Sequence, residues 1–406
     1  MLRDSRVRKI GRMRYRWQWC ALLFSVAYIW MPTAAVAQCT VSPTVPGCRD
    51  LLPIAQSAIA VSQTSMVAVQ TQLTTIRDGI QGRLTPSPGR PLGFAAEDPD
   101  QSLSYTASPN QTNPLYLKAP PAPASTTAGF GIWGQGFGDY ERRTTVFDGV
   151  DFGRQTRTGG FIAGLDKVFT NVGGVSDQAF VIGVLAADIG AHVDFNDGST
   201  ARVTGPSVGA YAMWIAGRFS ADFTFKTDFL SVDDSTGIPL SATPFDLTNY
   251  SFAFNLNRKF DFSGWWMEPT AGILDTRSIF DGAGHALGLV DGNDFRIQAG
   301  SRFGTTFMWG RASVDSTLTL LAYDSVSITG DNLTTALAGT TLAGTPVAGT
   351  PLCPSDQGKV FGQAIGKLNF DWSRDIKGLT TYVEADVRGT SDVFGVGGRV
   401  GARYTW

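Results

Sequence analysis

Four charged side chains near the end of the chain share one parity: Glu384 and Asp386, then Arg399 and Arg403. On two neighbouring antiparallel strands this spacing sets carboxylates and guanidiniums on one face, where they can pair across the sheet. Such pairs stiffen a polar interior, hold an inserted helix or set the selectivity of a pore. The two histidines offer a different chemistry. His192, in a loop expected after a third strand, has Asp188, Asp194 and Asp197 nearby, and His285, in a later loop, has Asp281 and Asp291. A carboxylate can orient an imidazole as a general base, so a surface hydrolase is one reading. Polar loops collect such neighbours by chance, and no residue is assigned a catalytic role. No metal-ligand spacing is present, and no cofactor is called for. Cys39 and Cys48 lie close together and point to a small-loop disulfide in an oxidising compartment. Cys353 is left over, with no function assigned.

The chain that positions these groups has 406 residues and a net charge of −2, which does not point to nucleic acid. Residues 1–37 read as a secretory signal peptide: a basic stretch from Arg3 to Arg16, the apolar run Trp17–Trp30, and the small-x-small site Ala35-Val36-Ala37. In the next segment, 38–83, a helix is expected over about 51–82. Leu52, Ala55, Ile59, Ser62, Met66, Val69, Leu73, Ile76 and Ile80 recur there at spacings of three and four. The rest of that surface is Gln, Ser, Thr and Ala, with Arg77 and Asp78 its only charges. That seam fits an oligomerising coil poorly. It suits docking on a barrel wall, a place inside a pore, or an ordinary amphipathic helix. Residues 84–126 hold nine of the chain's twenty prolines and read as an extended linker.

From Thr127 the texture becomes strict alternation. Phe219, Ala221, Phe223, Phe225 and Phe229 share one face, with Ser220, Asp222, Thr224, Lys226 and Asp228 on the other. Twelve such segments occur, near 127–140, 155–169, 178–191, 201–216, 218–232, 247–262, 264–275, 293–304, 310–327, 356–372, 377–390 and 393–406. They run well past the soluble-strand average and match the roughly 9–11 residues of a tilted membrane-crossing strand. Connections after even strands are short and those after odd strands mostly longer, the pattern of outer-membrane barrels. No stretch after residue 37 supplies the run of about 18 apolar residues of a spanning helix. A closed sheet is the remaining way to pair every backbone group in lipid. Trp133, Trp214, Trp265, Trp309, Trp372 and Trp406 fall mostly near strand ends, where indoles favour the headgroup layer. The expected fold is thus an all-β, 12-stranded antiparallel transmembrane barrel over 127–406, with outer-membrane lipid around it.

The last strand puts Phe394, Val396, Val400, Ala402, Tyr404 and Trp406 on its lipid face. Arg399, Gly401, Tyr404 and Trp406 resemble the C-terminal assembly signal of outer-membrane barrels. More narrowly, residues 127–406 resemble the autotransporter β-domain of type V secretion. The likeness is carried by Ile132-Trp133-Gly134-Gln135-Gly136-Phe137-Gly138, by the G-x-x-x-G-x-D pattern of Gly160, Gly164 and Asp166, and by the mid-strand Glu268-Pro269. The resemblance implies a bent or bulged strand at Pro269 and a helix spanning the pore. It also implies an N-terminal segment carried to the cell surface, and the β-barrel assembly machinery and secretion translocon as partners. The segment 38–125 is too short for the family's long β-helical passenger, and its helix has no Asn-Asn pair of the kind at which some members cut themselves. A second reading makes the barrel an adhesin or surface interaction module, its outer loops meeting a host or surface ligand.

Overall fold

Side chains that alternate apolar and polar give each segment one face for hydrocarbon and one for a wet interior, which only a closed sheet can keep apart. The computed structural model describes residues 46–84, 128–147, 150–175, 177–196, 198–234, 244–286, 289–329, 341–342, 345–346 and 356–406. The signal peptide, Cys39, Cys353 and the linker from 85 to 126 lie outside the described residues, and Cys48 is described by its backbone alone.

Among the described residues twelve long strands form the barrel. These are β1 (Ala128–Arg143), β2 (Arg154–Thr170), β3 (Gln178–Phe195), β4 (Thr200–Ala216), β5 (Phe219–Asp234) and β6 (Phe245–Arg258). They continue as β7 (Trp266–Phe280), β8 (Gly292–Trp309), β9 (Ala312–Thr329), β10 (Val360–Asp371), β11 (Leu379–Gly389) and β12 (Val393–Thr405). Each pairs antiparallel with the next, and β12 closes on β1 from Gly131↔Thr405 to Arg143↔Val393. Among the described residues the barrel sheet therefore has no unpaired edge strand.

The outer wall exposes Phe161, Leu165, Ile182, Val184, Phe223, Phe225, Leu318 and Val400. A soluble protein does not tolerate such a band, whereas lipid requires it. At the end with the short turns the aromatics form a girdle. Trp214 packs on Phe219, Phe262 on Trp265, Trp309 and Trp372 on Phe370, and Phe130 and Tyr404 on Trp406. By the outer-membrane rule this is the periplasmic end. Trp133 departs from the headgroup expectation. It points into the barrel, is 2% exposed, and its Nε1 donates to Tyr211 Oη at 2.7 Å.

At the outer end most strands run a few residues beyond the alternating pattern: β1 to Arg143, β3 to Phe195 and β7 to Phe280. Above the bilayer both faces of a strand meet water, so alternation fades although pairing continues. His192 consequently lies within β3, opposite Arg157 and Arg202, rather than in a loop. Pro269 also departs from expectation. Register on its two sides is continuous (Met267↔Phe260, Thr270↔Asn257), so β7 has a gap in its ladder instead of a bulge. Proline has no N–H to offer β6 there. The register shift that does occur lies between Phe295 and Arg296 on β8.

Inward glycines seat large rings. A Cβ on Gly164 would lie 2.5 Å from the Trp133 ring, and one on Gly401 2.5 Å from Tyr382; Gly183 sits under Tyr211. These contacts give a physical reason for glycine within the G-x-x-x-G-x-D pattern. Gly183→Val is expected to destabilise the barrel by about 1–3 kcal/mol through overpacking. The check is a lower temperature for converting the folded to the unfolded band on heating in SDS, and an unchanged conversion temperature would refute it.

Candidate functional site

Helix α1 (Pro46–Leu84) is 39 residues long. An isolated soluble helix of this composition would leave its polar face in water. Here Ser62, Ser65, Gln72 and Arg77 are buried to 1% exposure or less, together with Ile54, Val61, Val69, Leu73 and Ile76. A helix buried on polar and apolar faces alike needs a surrounding that satisfies both, and the barrel lumen supplies it. One wall is apolar: Val181, Leu185, Ile189 and Val193 of β3, with Ile162 and Met213, form one cluster with the apolar side chains of α1. The inward face of β3 is therefore as apolar as its lipid face. The run Phe180-Val-Ile-Gly-Val-Leu-Ala-Ala, which breaks the alternation, is the sequence signal for a docked helix.

Elsewhere the lumen is polar and wired to α1 at three levels. Near the outer end, Asn249 Nδ2 donates to Ser62 Oγ (2.7 Å) and Ala58 O (3.2 Å). At the same level Gln63 bridges Asp294 and Arg296, each at 2.6 Å. In the middle, Lys226 donates to Ser65 Oγ (2.6 Å) and is paired with Asp228. Thr71 donates to Glu384 (2.8 Å), while Lys367 donates to Thr71 O, Thr74 and Thr75. Near the periplasmic end Arg77 meets Glu268 at 2.6 Å, Arg302 meets Glu268 at 2.8 Å, and Arg302 meets Asp78 at 2.7 Å. Charges buried this deeply must be paired, since an unpaired one costs several kcal/mol, of order 3–5. Arg77 and Asp78 of the helix thus have partners on β7 and β8. Gln81 reaches Gly217 O in the turn between β4 and β5. The C-terminal end of α1 therefore faces the periplasmic turns and its N-terminal end the outer mouth.

Of the four charges at the end of the chain, Arg399 meets Glu384 at 2.5 Å and Asp386 at 2.8 Å across β11 and β12. Arg403 does not join them. Register sets it opposite Thr380, and it crosses β1 above Gly131 to reach Asp166 of β2 at 2.5 Å. Asp386 faces Arg388 as well, at 3.6 Å, and Arg388 reaches Asp139 at 2.6 Å and Glu141 at 3.1 Å. Pairing over two strands, as at Arg403, was not readable from parity. The glycine between the partners was its only cue.

At the outer rim, Arg143 pairs with Glu141 and Asp356, and Lys359 with Asp356 and Asp392. Burial alone would raise the Asp356 carboxyl; the guanidinium of Arg143 overrides it and holds the pKa below the usual value. His192 Nε2 lies 3.1 Å from Asp194, which also pairs with Arg157, and faces outward. His285 Nδ1 is 3.1 Å from Leu289 O in the connection after β7. These placements put neither imidazole in the lumen.

Residues 132–283 match the family model described as the autotransporter β-domain. A search of curated proteins found no match. Among solved structures, the β domain of the Bordetella autotransporter BrkA aligns with a TM-score of 0.50 at 14% identity, over 68% of this chain and 98% of that one. The transport unit of AIDA-I from Escherichia coli gives 0.46 at 13% identity, over 67% and 89%. The translocator domain of NalP from Neisseria meningitidis gives 0.44 at 12%, over 68% and 88%. The last two scores are too low to add to the argument, and at 14% identity the BrkA likeness speaks for the fold alone. The closed twelve-strand sheet and its lipid-facing band thus have the fold of an outer-membrane β-barrel, and over residues 132–283 the chain is similar to the autotransporter β-domain.

Proposed function

We propose that the barrel anchors the chain in the outer membrane and holds α1 through its lumen as a tether, presenting the residues before α1 at the cell surface. The observation that carries this is the direction of the helix. Arg77, Asp78 and Gln81 are fixed at the periplasmic end by Glu268, Arg302 and Gly217 O, so Gln63 and the residues before it stand toward the outer mouth. Because β1 also begins at the periplasmic end, α1 and β1 can be joined there without recrossing the membrane. On this reading the β-barrel assembly machinery receives the C-terminal strand through Arg399, Gly401, Tyr404 and Trp406. Tyr404 and Trp406 are exposed on the lipid side, whereas Arg399 and Gly401 face the lumen.

An epitope inserted between Thr40 and Val41 tests the display. Antibody should bind intact cells to about the level seen after permeabilisation. Binding only after permeabilisation would sink the surface reading while leaving the barrel untouched.

A further inference from the structure

Above the lipid-facing band, four neighbouring strands carry basic side chains on the outside of the wall. Arg142 of β1, Arg157 of β2, His192 of β3 and Arg202 of β4 all point outward and are exposed. Each stands twelve residues from the outward aromatic at the periplasmic end of its own strand: Phe130, Phe169, Phe180 and Trp214. Twelve residues extend roughly 40 Å, and a tilt of about 40° leaves about 30 Å between the two levels. That is the thickness of a hydrocarbon core, so the basic row lies at the height of the outer headgroups. Arg157 faces His192, and His192 faces Arg202, directly across adjacent strands, where like charges repel. Asp194 relieves part of this, pairing with Arg157 at 3.3 Å and with His192 at 3.1 Å. Arg142 and Arg202 have no ion-pair partner among the described residues, although Asp233 stands opposite Arg202 on β5. Farther round the wall the outward charges at the outer strand ends are Asp233, Asp246, Asp275 and Asp324, with Arg277 as the cation. The positive sector is confined to one side.

Directly below this row the wall is bare. Gly398, Gly138, Gly159 and Gly190 stand opposite one another on β12, β1, β2 and β3, and all four face lipid. Unlike Gly164, Gly183 and Gly401, they seat no ring. A Cβ on Gly138 would meet nothing within 4 Å, and at the other three the nearest atom would lie at 3.4 Å or beyond. Interior packing therefore does not call for glycine at these positions. Four strands without side chains form a shallow shelf about 14 Å wide, at about 4.8 Å per strand. Val400, Phe161 and Asp188 lie on the row beneath it.

We propose that this sector binds the headgroup of a phosphorylated glycolipid in the outer leaflet. Arg142, Arg157 and Arg202 hold the phosphate oxygens, and the bare shelf receives the sugar and the roots of the acyl chains. A guanidinium takes phosphate oxygens in a two-pronged, charge-assisted contact. A terminal phosphomonoester carries about −1.5 to −2 charges near pH 7 and offers three oxygens. A phosphodiester carries a single charge and offers two. Three guanidiniums around one carboxylate suit the monoester. The lipid face and the headgroup height select a lipid over a soluble anion. The site is independent of surface display, because no residue of α1 takes part in it.

The test places the full chain in phosphatidylcholine nanodiscs with a minor fraction of diphosphoryl lipid A. Native mass spectrometry then counts the lipid A retained on the released protein. Retention is expected for the unmodified chain. Arg142→Gln combined with Arg202→Gln should lower it about ten-fold. Gly138→Leu keeps every cation and fills the shelf, and should lower it too. Arg277→Gln, on the acidic side of the wall, should leave it unchanged. An unchanged band-conversion temperature in SDS shows that each variant is folded. Lipid A stripped of its phosphates, and phosphatidylglycerol, should be retained no better than lipid A is by the double variant. Unchanged retention in the double variant or in Gly138→Leu would overturn the proposal, as would an equal loss in Arg277→Gln. So would equal retention of phosphatidylglycerol, or displacement of lipid A by millimolar inorganic phosphate, which would mark a plain anion site.

Discussion

Glu268→Ala is expected to accelerate hydrogen exchange across the C-terminal half of α1 by about 100-fold or more, the equivalent of roughly 3 kcal/mol or above. Glu268 is 1% exposed and accepts from both Arg77 and Arg302. Its removal leaves two guanidiniums deep in the lumen. Arg302 keeps Asp78, but Arg77 keeps only contacts of 3.9 Å to Asp78 and 4.0 Å to Asp222. Water has to enter, and the helix pays for it by loosening at its periplasmic end. Arg77→Met combined with Glu268→Met should have a smaller effect than Glu268→Ala, because no charge is then left without its partner. Wild-type exchange rates in Glu268→Ala would show that the apolar wall of β3, rather than the ion cluster, holds α1.

Arg403→Ala is expected to weaken the closure of the barrel by about 3–5 kcal/mol, read as a lower temperature of band conversion in SDS. The Asp166 carboxylate is fully buried and has Arg403 as its cation, with Tyr211 Oη at 3.3 Å as a further donor. The pair joins β12 to β2 over the top of β1, so it fastens the strands where the sheet closes on itself. Gly131 makes the crossing possible. A Cβ there would lie 2.6 Å from the Arg403 guanidinium and 2.7 Å from Asp166. Gly131→Leu should therefore reproduce the loss, although both charges remain. If Arg403→Ala lowers the conversion temperature and Gly131→Leu does not, the bridge over β1 is not what closes the sheet.

Much of the fold is legible in residue order because period-two alternation is a local property. Phe219 to Phe229 declares its two faces without reference to any other strand, and repetition of that pattern leads to the count of twelve. The same locality limits what residue order conveys. Strand ends above the bilayer have two wet faces, so Glu141-Arg142-Arg143 carries no alternation yet remains in β1. Trp133 reads as part of the girdle because position along a strand says how high a ring lies. Which face it occupies depends on parity relative to Gly164, the site that receives it. Arg399 found its partners in the adjacent strand, where parity suffices. Arg403 bonds two strands away, where it does not.

By itself the sequence determined that the C-terminal chain crosses a bilayer as a sheet, which faces meet lipid, and that a helix with few charges precedes it. Only the tertiary structure decided where that helix lies. Its seam of threes and fours suits a barrel wall, a pore or an ordinary amphipathic helix alike, because a helix reports how much of its surface needs burying and not what will bury it. The choice rests on partners far away in the chain: Glu268 and Arg302 for Arg77 and Asp78, Lys367 and Glu384 for Thr71, and an apolar inner face on β3. Closing the sheet brings those residues around one axis, and with that the helix acquires a direction and a seat.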